Sequence, residues 1–218
     1  TSDKCYENDG SSRAFTENDT LGGHDIYSAS KAAAEIMTRS WRRSFKGRIA
    51  TARAGNVIGG GDYGVDRIIP DCVRALEAGK PITVRNPAAT RPWQHVLDCL
   101  SGYLWLGSRL AEDNAFADAF NFGPNLEAQR SVGALVEEFL QHWPGEWDDS
   151  SDTKAPHEAP TLSLAIDKAQ EKLGWQPVWD FANAVQRTAR WYQQRHIVKS
   201  DDPHGLCLAQ LESYTADA

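Results

Sequence analysis

Tyr27 and Lys31 lie four residues apart in the run Tyr-Ser-Ala-Ser-Lys. On a helix this spacing places both side chains on the same face. A free tyrosine has a pKa of about 10, and a fixed cation nearby favours the phenolate and lowers that pKa towards neutrality. The pair is therefore a candidate general base with its activating cation, although the same pattern is also typical of an amphipathic helix with an exposed lysine.

Three further segments carry groups suited to chemistry. The chain opens with Thr-Ser-Asp-Lys-Cys-Tyr, which brings together the hydroxyl of Ser2, the carboxylate of Asp3 and the ammonium of Lys4. The second segment is Arg-Ala-Gly-Asn-Val-Ile-Gly-Gly-Gly-Asp at 53–62, and the third is Thr-Arg-Pro-Trp-Gln-His-Val at 90–96. A solvated strand end with an ion pair is the alternative interpretation of Asp3 and Lys4.

In this order the four segments resemble the extended short-chain dehydrogenases/reductases that act on nucleotide sugars. More narrowly, the opening, the Gly-Gly-Gly-Asp loop and the Arg-Pro-Trp-Gln-His-Val run look like the CDP-glucose 4,6-dehydratases. The resemblance extends from Thr1 to about Gln193. It implies NAD-dependent dehydration of CDP-glucose, or of a related nucleotide sugar, to the 4-keto-6-deoxy sugar. Such a step belongs to deoxysugar biosynthesis, for example that of lipopolysaccharide O-antigen.

The resemblance implies a catalytic role for each matching residue. Tyr27 would take the proton of the sugar 4-hydroxyl, Lys31 would also reach the nicotinamide ribose of NAD, and Ser2 would share the hydroxyl's hydrogen bond. Asp3 matches the acid that protonates the departing 6-hydroxyl. Lys4 stands where the dTDP-glucose enzymes have glutamate, so it would serve as the base at C5 or as an electrostatic partner.

The resemblance also implies binding residues. Asn56 and Arg91 match positions that hold the substrate's pyrophosphate, and an arginine fork suits two-pronged contact with phosphate oxygens. The alternatives are a turn residue for Asn56 and a surface ion pair for Arg91. Trp93 and His95 could line the pocket, although Trp93 is equally expected in the core. The resemblance also assigns Ala54, with Tyr27 and Lys31, to binding of the NAD cofactor.

The segment with which the family begins has no counterpart here. Family members start with a strand, a Gly-x-x-Gly-x-x-Gly turn and further strand-helix units that hold the dinucleotide. The glycines at 59–61 are no substitute, since a phosphate-binding loop leads directly into a helix. We therefore expect the C-terminal portion of a longer enzyme. The alternatives are another nucleotide-sugar epimerase or dehydratase, and a non-catalytic fragment that binds a sugar nucleotide without NAD.

The composition indicates a globular protein, with 41% apolar and 24% charged residues among 218. The net charge of -7 argues against nucleic acid and anionic membranes as partners. No apolar stretch is long enough to span a bilayer, and we expect a cytoplasmic protein. The four cysteines and six histidines lack metal or disulfide spacing, so no metal site is predicted. A homodimer, with the Tyr27 helix in its interface, is implied by the resemblance.

Strands and helices alternate along the chain, which predicts an α/β fold with parallel strands. With the resemblance, the prediction is a partial Rossmann-like, doubly wound parallel sheet and a smaller C-terminal substrate-binding region. Helices are predicted at 26–45, 68–78, 96–110, 132–141 and 182–193, and strands at 1–4, 48–53, 82–85 and 119–122. The Rossmann-like part is predicted to comprise residues 1–64 and 85–125. The substrate-binding region comprises residues 65–84 and 126–200. Residues 201–218 form a tail that can be disordered.

Several connections carry expectations of their own. The glycines at 59–61 would let the backbone approach the substrate, and a plain flexible loop is the alternative. Gly79 should end a helix, and residues 143–152 should form a surface loop. Charged residues before Ile68 should cap the helix there or lie on the surface: Asp62, Asp66 and Arg67. Residues 156–161 are the candidate contact with the nucleotide base.

Overall fold

The structure, a computed structural model, describes residues 1–8, 10, 13–126, 129–151 and 162–218. Its helices are α1 (Ile26–Phe45), α2 (Ile68–Glu77), α3 (Val96–Glu112), α4 (Val132–His142), α5 (Asp167–Leu173), α6 (Phe181–His196) and α7 (Pro203–Asp217). Its strands are β1 (Thr51–Ala54), β2 (Val57–Ile58), β3 (Ile82–Val84), β4 (Thr90–Arg91), β5 (Gln94–His95), β6 (Ala119–Phe122), β7 (Arg130–Ser131) and β8 (Trp147–Asp149).

The strands pair two by two within the described ranges. β1 lies parallel to β6 with Thr51 opposite Ala119, β2 is parallel to β5, and β3 is parallel to β8. The pair β4–β7 is antiparallel. Parallel pairs joined through helices are typical of the α/β class, so the predicted class is confirmed.

Apolar side chains form three clusters. The largest gathers α2, α4 and α6 around β3, and fully buried members of it are Val185, Leu135, Phe139 and Tyr192. The second packs α3 and α5 against β6. The third joins the segment after Asp3 to residues 162–164, through Cys5, Tyr6, Phe15, Leu162 and Leu164. Asp3 therefore precedes a segment whose side chains are anchored in a core.

Local signals predicted α1 correctly at both ends. Asp25 caps its N-terminus by accepting the Ser28 N–H at 2.9 Å, and the helix ends at Lys46, whose φ is 50°. Gly79 follows α2 with a φ of 63°, as predicted. The strand predicted at 1–4 is wrong, because Ser2 accepts the N–H of Lys4 and residues 3–5 form a short 3-10 helix.

The C-terminal segment 201–218 is not the disordered tail that its composition predicted, because most of it forms α7. The hydroxyl of Tyr214 donates to the buried carboxylate of Asp98 at 2.9 Å. The indole of Trp179 donates to Asp217 at 2.9 Å. These partners lie far away in the sequence, so the composition of the segment alone could not reveal them.

The surface loop predicted at 143–152 contains β8, which pairs with β3 in the register Ile82 opposite Trp147. Tertiary pairing stabilises this strand of three residues, which is too short to show a period of its own. Residue 152 lies outside the described ranges.

Candidate active site

The first turns of α1 bring Tyr27 and Lys31 together. The ammonium nitrogen of Lys31 lies 5.2 Å from the centroid of the Tyr27 ring. Tyr27 is 53% exposed, and Lys31 is partly buried. The helix therefore presents an accessible phenol with a cation held beside it.

The 3-10 helix at 3–5 buries the carboxyl group of Asp3, which is only 4% exposed. Ser2 Oγ donates to Asp3 Oδ1 at 2.9 Å, whereas Asp3 Oδ2 has no hydrogen-bond partner among the described residues. Burial raises the pKa of Asp3, against the hydrogen bond from Ser2 and the charges of Lys4 and Arg91. A carboxyl group in this state can hold a proton and deliver it to a ligand.

Residues from two other segments border Asp3. A Cβ at Gly55 would lie 2.5 Å from Pro92 Cγ and 3.2 Å from Asp3 Oδ2, so the site requires glycine there. Gly55 was not predicted from the sequence, in which its signal is a glycine directly after a strand. Arg91 is 7% exposed in β4, and its charge acts on Asp3. The fold thus gathers Asp3, Gly55 and Arg91 from separate parts of the sequence.

Lys4, Ala54 and Asn56 surround the same region. The side chain of Lys4 is exposed, and its backbone N–H donates to Ser2 Oγ at 3.2 Å. Ala54 is the buried last residue of β1. The Asn56 carbonyl accepts the Gln94 N–H at 3.0 Å, and the residue itself is partly exposed. Ala54 and Asn56 thus lie at the carboxyl end of a parallel strand, where open α/β sheets bind ligands.

Trp93 and His95 have structural contacts. Trp93 is 4% exposed, and its indole donates to a backbone carbonyl at 3.0 Å. His95 is fully buried, its Nδ1 accepts an N–H of the first turn of α3, and its ring packs on Trp179 at 4.7 Å between centroids. Burial and the charge of Arg187 lower the pKa of His95 to about 4. These contacts bury both side chains, and His95 Nε2 is left without a hydrogen-bond partner among the described residues. The assignment of Trp93 and His95 to the pocket stays a prediction.

The glycines at 59–61 make room for core side chains. A Cβ at Gly59 would lie 2.7 Å from Val96 Cγ1, and one at Gly60 would lie 2.1 Å from Trp191 Cγ. Gly61 has a φ of 86°, which L side chains rarely adopt. Close packing on α3 and α6 therefore accounts for Gly59 and Gly60, while the expected approach of this backbone to a substrate stays a prediction.

The charged residues before α2 lie on the surface and do not cap the helix. Asp62 accepts the Gly64 N–H at 2.9 Å, and Asp66 pairs with Arg85 at 3.0 Å. Arg67 occupies the N-cap position without a side-chain hydrogen bond to the helix. The surface alternative is therefore the one that the structure supports.

A buried polar network that sequence analysis missed lies beneath the site. Arg53 donates to Glu35 Oε2 at 2.7 Å and to the Tyr6 hydroxyl at 2.8 Å, and Tyr6 donates to Asn121 Oδ1 at 2.6 Å. Burial raises the pKa of Glu35, but the hydrogen bonds from Arg53 and Thr1 lower this pKa by more. The net pKa is below the ordinary glutamate value, so Glu35 is ionised. The signal for this network was an arginine inside a short strand.

The other sequence predictions concern a contact with the nucleotide base, metal sites and membrane-spanning helices. Residues 156–161, the candidate contact with the nucleotide base, lie outside the described residues. Within the described ranges, no cluster of three or more His, Cys, Asp or Glu residues could hold a metal ion. No helix among the described residues is both long and apolar enough to cross a membrane.

Comparison with known proteins relates this arrangement to a family. The family model for GDP-mannose 4,6 dehydratase matches residues 1–188. This chain belongs to the GDP-mannose 4,6 dehydratase family. A CDP-glucose 4,6-dehydratase of Salmonella typhimurium is 40% identical to this family member over 207 residues, which cover 88% of the chain and 57% of the Salmonella protein. The predicted resemblance to CDP-glucose 4,6-dehydratases is confirmed, and the chain spans little more than half the length of this relative.

Solved structures share the fold of this family member. The dTDP-glucose 4,6-dehydratase of Bacillus anthracis, in complex with NAD, has a TM-score of 0.77 at 22% identity, covering 89% of this chain and 60% of that one. A UDP-glucuronic acid 4-epimerase mutant of Bacillus cereus, also with NAD, has a TM-score of 0.77 at 17% identity, with the same coverage of 89% and 60%. These likenesses confirm the partial Rossmann-like fold.

Proposed function

We propose that the protein acts in the NAD-dependent dehydration of CDP-glucose to CDP-4-keto-6-deoxyglucose. The observation that carries the proposal is the buried, protonatable carboxyl group of Asp3 next to the Ser2 hydroxyl, in a 3-10 helix packed against the helix of Tyr27 and Lys31. The Salmonella relative supports CDP-glucose as the substrate, and the Bacillus anthracis neighbour supports NAD as the cofactor.

The residues present fit the nicotinamide end of NAD. Tyr27 is accessible, Lys31 lies beside it, and Ala54 ends a parallel strand. The glycine run at 59–61 is occupied by packing against side chains and offers no cradle for the diphosphate of NAD. When bound, NAD would accept the hydride from C4 of the sugar and return it at C6.

Two residues would handle the proton of the sugar 4-hydroxyl. Tyr27 takes this proton as general base, and the ammonium of Lys31 stabilises the phenolate that does so. Ser2 Oγ already donates to Asp3 and accepts from the Lys4 N–H, which leaves one lone pair to share the single proton of the 4-hydroxyl until Tyr27 takes it.

Asp3 and Lys4 would serve the elimination. Asp3 delivers its proton to the departing 6-hydroxyl, which leaves as water. Oxidation at C4 makes the C5 proton acidic, and Lys4 acts at C5 as the base or as the cation that stabilises the developing negative charge. If Lys4 is the base, its amine takes the C5 proton; if it acts only as a cation, the proton passes to solvent water, which reaches the exposed Lys4.

Arg91 and Asn56 would hold the pyrophosphate of the nucleotide sugar. Arg91 is largely buried in β4, where its fork can make charge-assisted contacts with low loss of side-chain freedom. Asn56 follows β1 at the ligand-binding end of the strand. Together they would hold the sugar so that its 6-hydroxyl, the leaving group, lies near Asp3.

We further propose a cytoplasmic homodimer that serves deoxysugar biosynthesis, such as that of lipopolysaccharide O-antigen. Besides Tyr27, α1 exposes five large apolar side chains that suit burial against a second copy: Ile26, Ile36, Met37, Trp41 and Phe45. All four cysteines are free, as expected in a reducing compartment.

The test is incubation of the protein with NAD and CDP-glucose, followed by mass spectrometry of the sugar nucleotide. Loss of water from CDP-glucose in the wild type, and none with Tyr27→Phe, supports the proposal. Epimerisation without loss of water would indicate a 4-epimerase instead. Binding of CDP-glucose without binding of NAD would indicate a non-catalytic sugar-nucleotide-binding protein.

Substitution of Lys4 separates its two possible roles. Lys4→Ala should slow the loss of water roughly 100-fold while sparing the initial oxidation. Lys4→Arg retains the positive charge but cannot act as a base, so it should keep most of the rate if Lys4 is an electrostatic partner. Single-turnover kinetics resolves oxidation from elimination. A wild-type rate of water loss in Lys4→Ala would remove Lys4 from the mechanism.

A further inference from the structure

α1 attaches to the rest of the chain through a very small buried face. Of its 20 residues only Ser28, Ala32 and Glu35 are buried, and it packs mainly against the 3-10 helix at 3–5. Ser28 is already engaged with the helix cap at Asp25. Since Ala32 offers a single methyl group, Glu35 is the buried side chain left to fix how far the helix is rotated and shifted.

Glu35 links α1 to the two segments that carry the rest of the site. Its Oε2 accepts from Arg53 at 2.7 Å and from the Thr51 hydroxyl at 2.8 Å, and both donors lie in β1. Its Oε1 accepts from the Thr1 hydroxyl. Thr1 directly precedes Ser2 and Asp3, and β1 leads directly into the site residues at 54–56. One carboxylate therefore joins all three parts of the site.

Arg53 extends the same anchor on its other side. It donates to the Tyr6 hydroxyl at 2.8 Å and to the backbone carbonyl of Glu17 at 3.3 Å. The side chains of Arg53 and Glu35 are 4% and 2% exposed, which leaves neither accessible to a substrate. Buried charges of this kind depend on their partner, because removing one leaves the other uncompensated.

We propose that the Glu35–Arg53 ion pair is a positioning device that holds α1 so that Tyr27 and Lys31 face Ser2 and Asp3. The inference rests on the proposed function, since its catalytic consequence is the rate of that reaction. Lys31 lies one helical turn before Glu35 on α1, so a rotation or slide of the helix would displace the Tyr27–Lys31 pair with it.

A positioning role differs from a purely stabilising one in how it responds to a double substitution. Replacing both members of a buried ion pair with apolar residues of similar volume often restores the stability that a single replacement removes. The double variant Glu35→Leu/Arg53→Met should therefore recover the Tm lost by Glu35→Leu. The double variant cannot recover the hydrogen bonds that Glu35 accepts from Thr1 and Thr51. Tyr27 and Lys31 should therefore stay displaced relative to Ser2 and Asp3.

The first measurement determines Tm, kcat and the KM for CDP-glucose in four proteins. They are the wild type, the single variant Glu35→Leu, the double variant Glu35→Leu/Arg53→Met and Asp118→Asn. Asp118 pairs with Arg42 of the same helix at 3.2 Å, outside the buried network, and provides the matched control. We expect the double variant to regain Tm but to lose roughly 10- to 100-fold in kcat with KM little changed, while the control keeps kcat. A double variant with wild-type Tm and wild-type kcat overturns the proposal.

The second measurement does not depend on turnover. In Glu35→Gln, which preserves the shape of the side chain, amide hydrogen exchange at residues 30–34 should accelerate several-fold, and by clearly more than in Asp118→Asn, which lowers stability without touching the Glu35 network. Unchanged exchange in Glu35→Gln overturns the positioning role even if the double variant fails to fold. Absence of the keto sugar in the wild type would overturn the proposed function, while exchange would still decide whether the pair holds α1.

Discussion

At the scale of single residues, the environment of Asp3 determines what its carboxyl group can do. An exposed aspartate is ionised at neutral pH and is a poor proton donor. Asp3 is buried, Gly55 approaches its Oδ2 closely, and the charges of Lys4 and Arg91 only partly offset the burial. The same burial that suits an acid therefore costs stability whenever the group is ionised.

Asp3→Asn should stabilise the fold at neutral pH while abolishing elimination. Because the pKa of Asp3 is raised above 3.8 by folding, its contribution to stability is greatest at low pH and declines as pH rises through the folded pKa. Asparagine does not titrate, so the variant should gain on the order of 1 kcal/mol at about pH 8 and nothing at about pH 3. Thermal unfolding across this range measures the difference.

Asp118→Asn is the control variant, because the pKa of Asp118 is lowered in the folded protein whereas that of Asp3 is raised. Burial raises the pKa of Asp118, but the hydrogen bond and charge of Lys168 and the charge of Arg42 lower it by more, so its net pKa is below the ordinary value. Its contribution to stability is present above the ordinary aspartate pKa and is lost as pH falls, so the variant should be less stable than the wild type at neutral pH. A wild type more stable than Asp3→Asn at about pH 8 would contradict the account of Asp3.

At the scale of elements, close packing between a loop and a helix determines how the glycine run is used. Gly60 lies against Trp191 of α6, a residue that is 4% exposed and packs edge-to-face on Tyr192. This aromatic pair belongs to the largest core cluster, which includes Ile58 of β2. The loop after β2 is therefore held by the core.

Gly60→Ala should lower the free energy of unfolding by about 1–3 kcal/mol, because its Cβ would overlap the buried indole of Trp191. Gly107→Ala is the control: Gly107 lies in the exposed part of α3, where an added Cβ would meet no other atom within 4 Å, and the substitution should stabilise the protein by up to about 1 kcal/mol. Urea denaturation compares the two. Equal stability of Gly60→Ala and wild type would contradict the packing role of Gly60.

At the scale of the whole molecule, the exposed apolar side of α1 is the feature that most needs a partner. Met37 and Phe45 are each 69% exposed, and Ile26 is 90% exposed. Isolated apolar side chains are common on surfaces, but a row of them on one helix is typical of an interface. The buried side of the same helix carries the Glu35 anchor, so assembly and the site would share α1.

Met37→Glu should weaken the proposed homodimer at least roughly 10-fold, because it places a charge where an apolar side chain would be buried against the second copy. Leu104→Glu is the control, since Leu104 is 75% exposed on a different helix, α3. Sedimentation equilibrium measures the dissociation constant of each variant. The same constant for Met37→Glu and the wild type would exclude this face as the interface.

The sequence by itself determined the features that depend on neighbours along the chain. The N-cap at Asp25 and the spacing of Tyr27 and Lys31 are local, so α1 and its paired side chains were predicted correctly. The class of fold followed from the alternation of strands and helices. The order of four motifs was enough to indicate the family.

Only the tertiary structure decided which of those residues lie in water and which in the core. It buried Asp3, made His95 a cap for α3 and filled the space above Gly60 with Trp191. It also joined Glu35 to Arg53. Burial, the pKa of a buried group and close packing arise from contacts between residues far apart in the sequence, and no local pattern specifies such contacts.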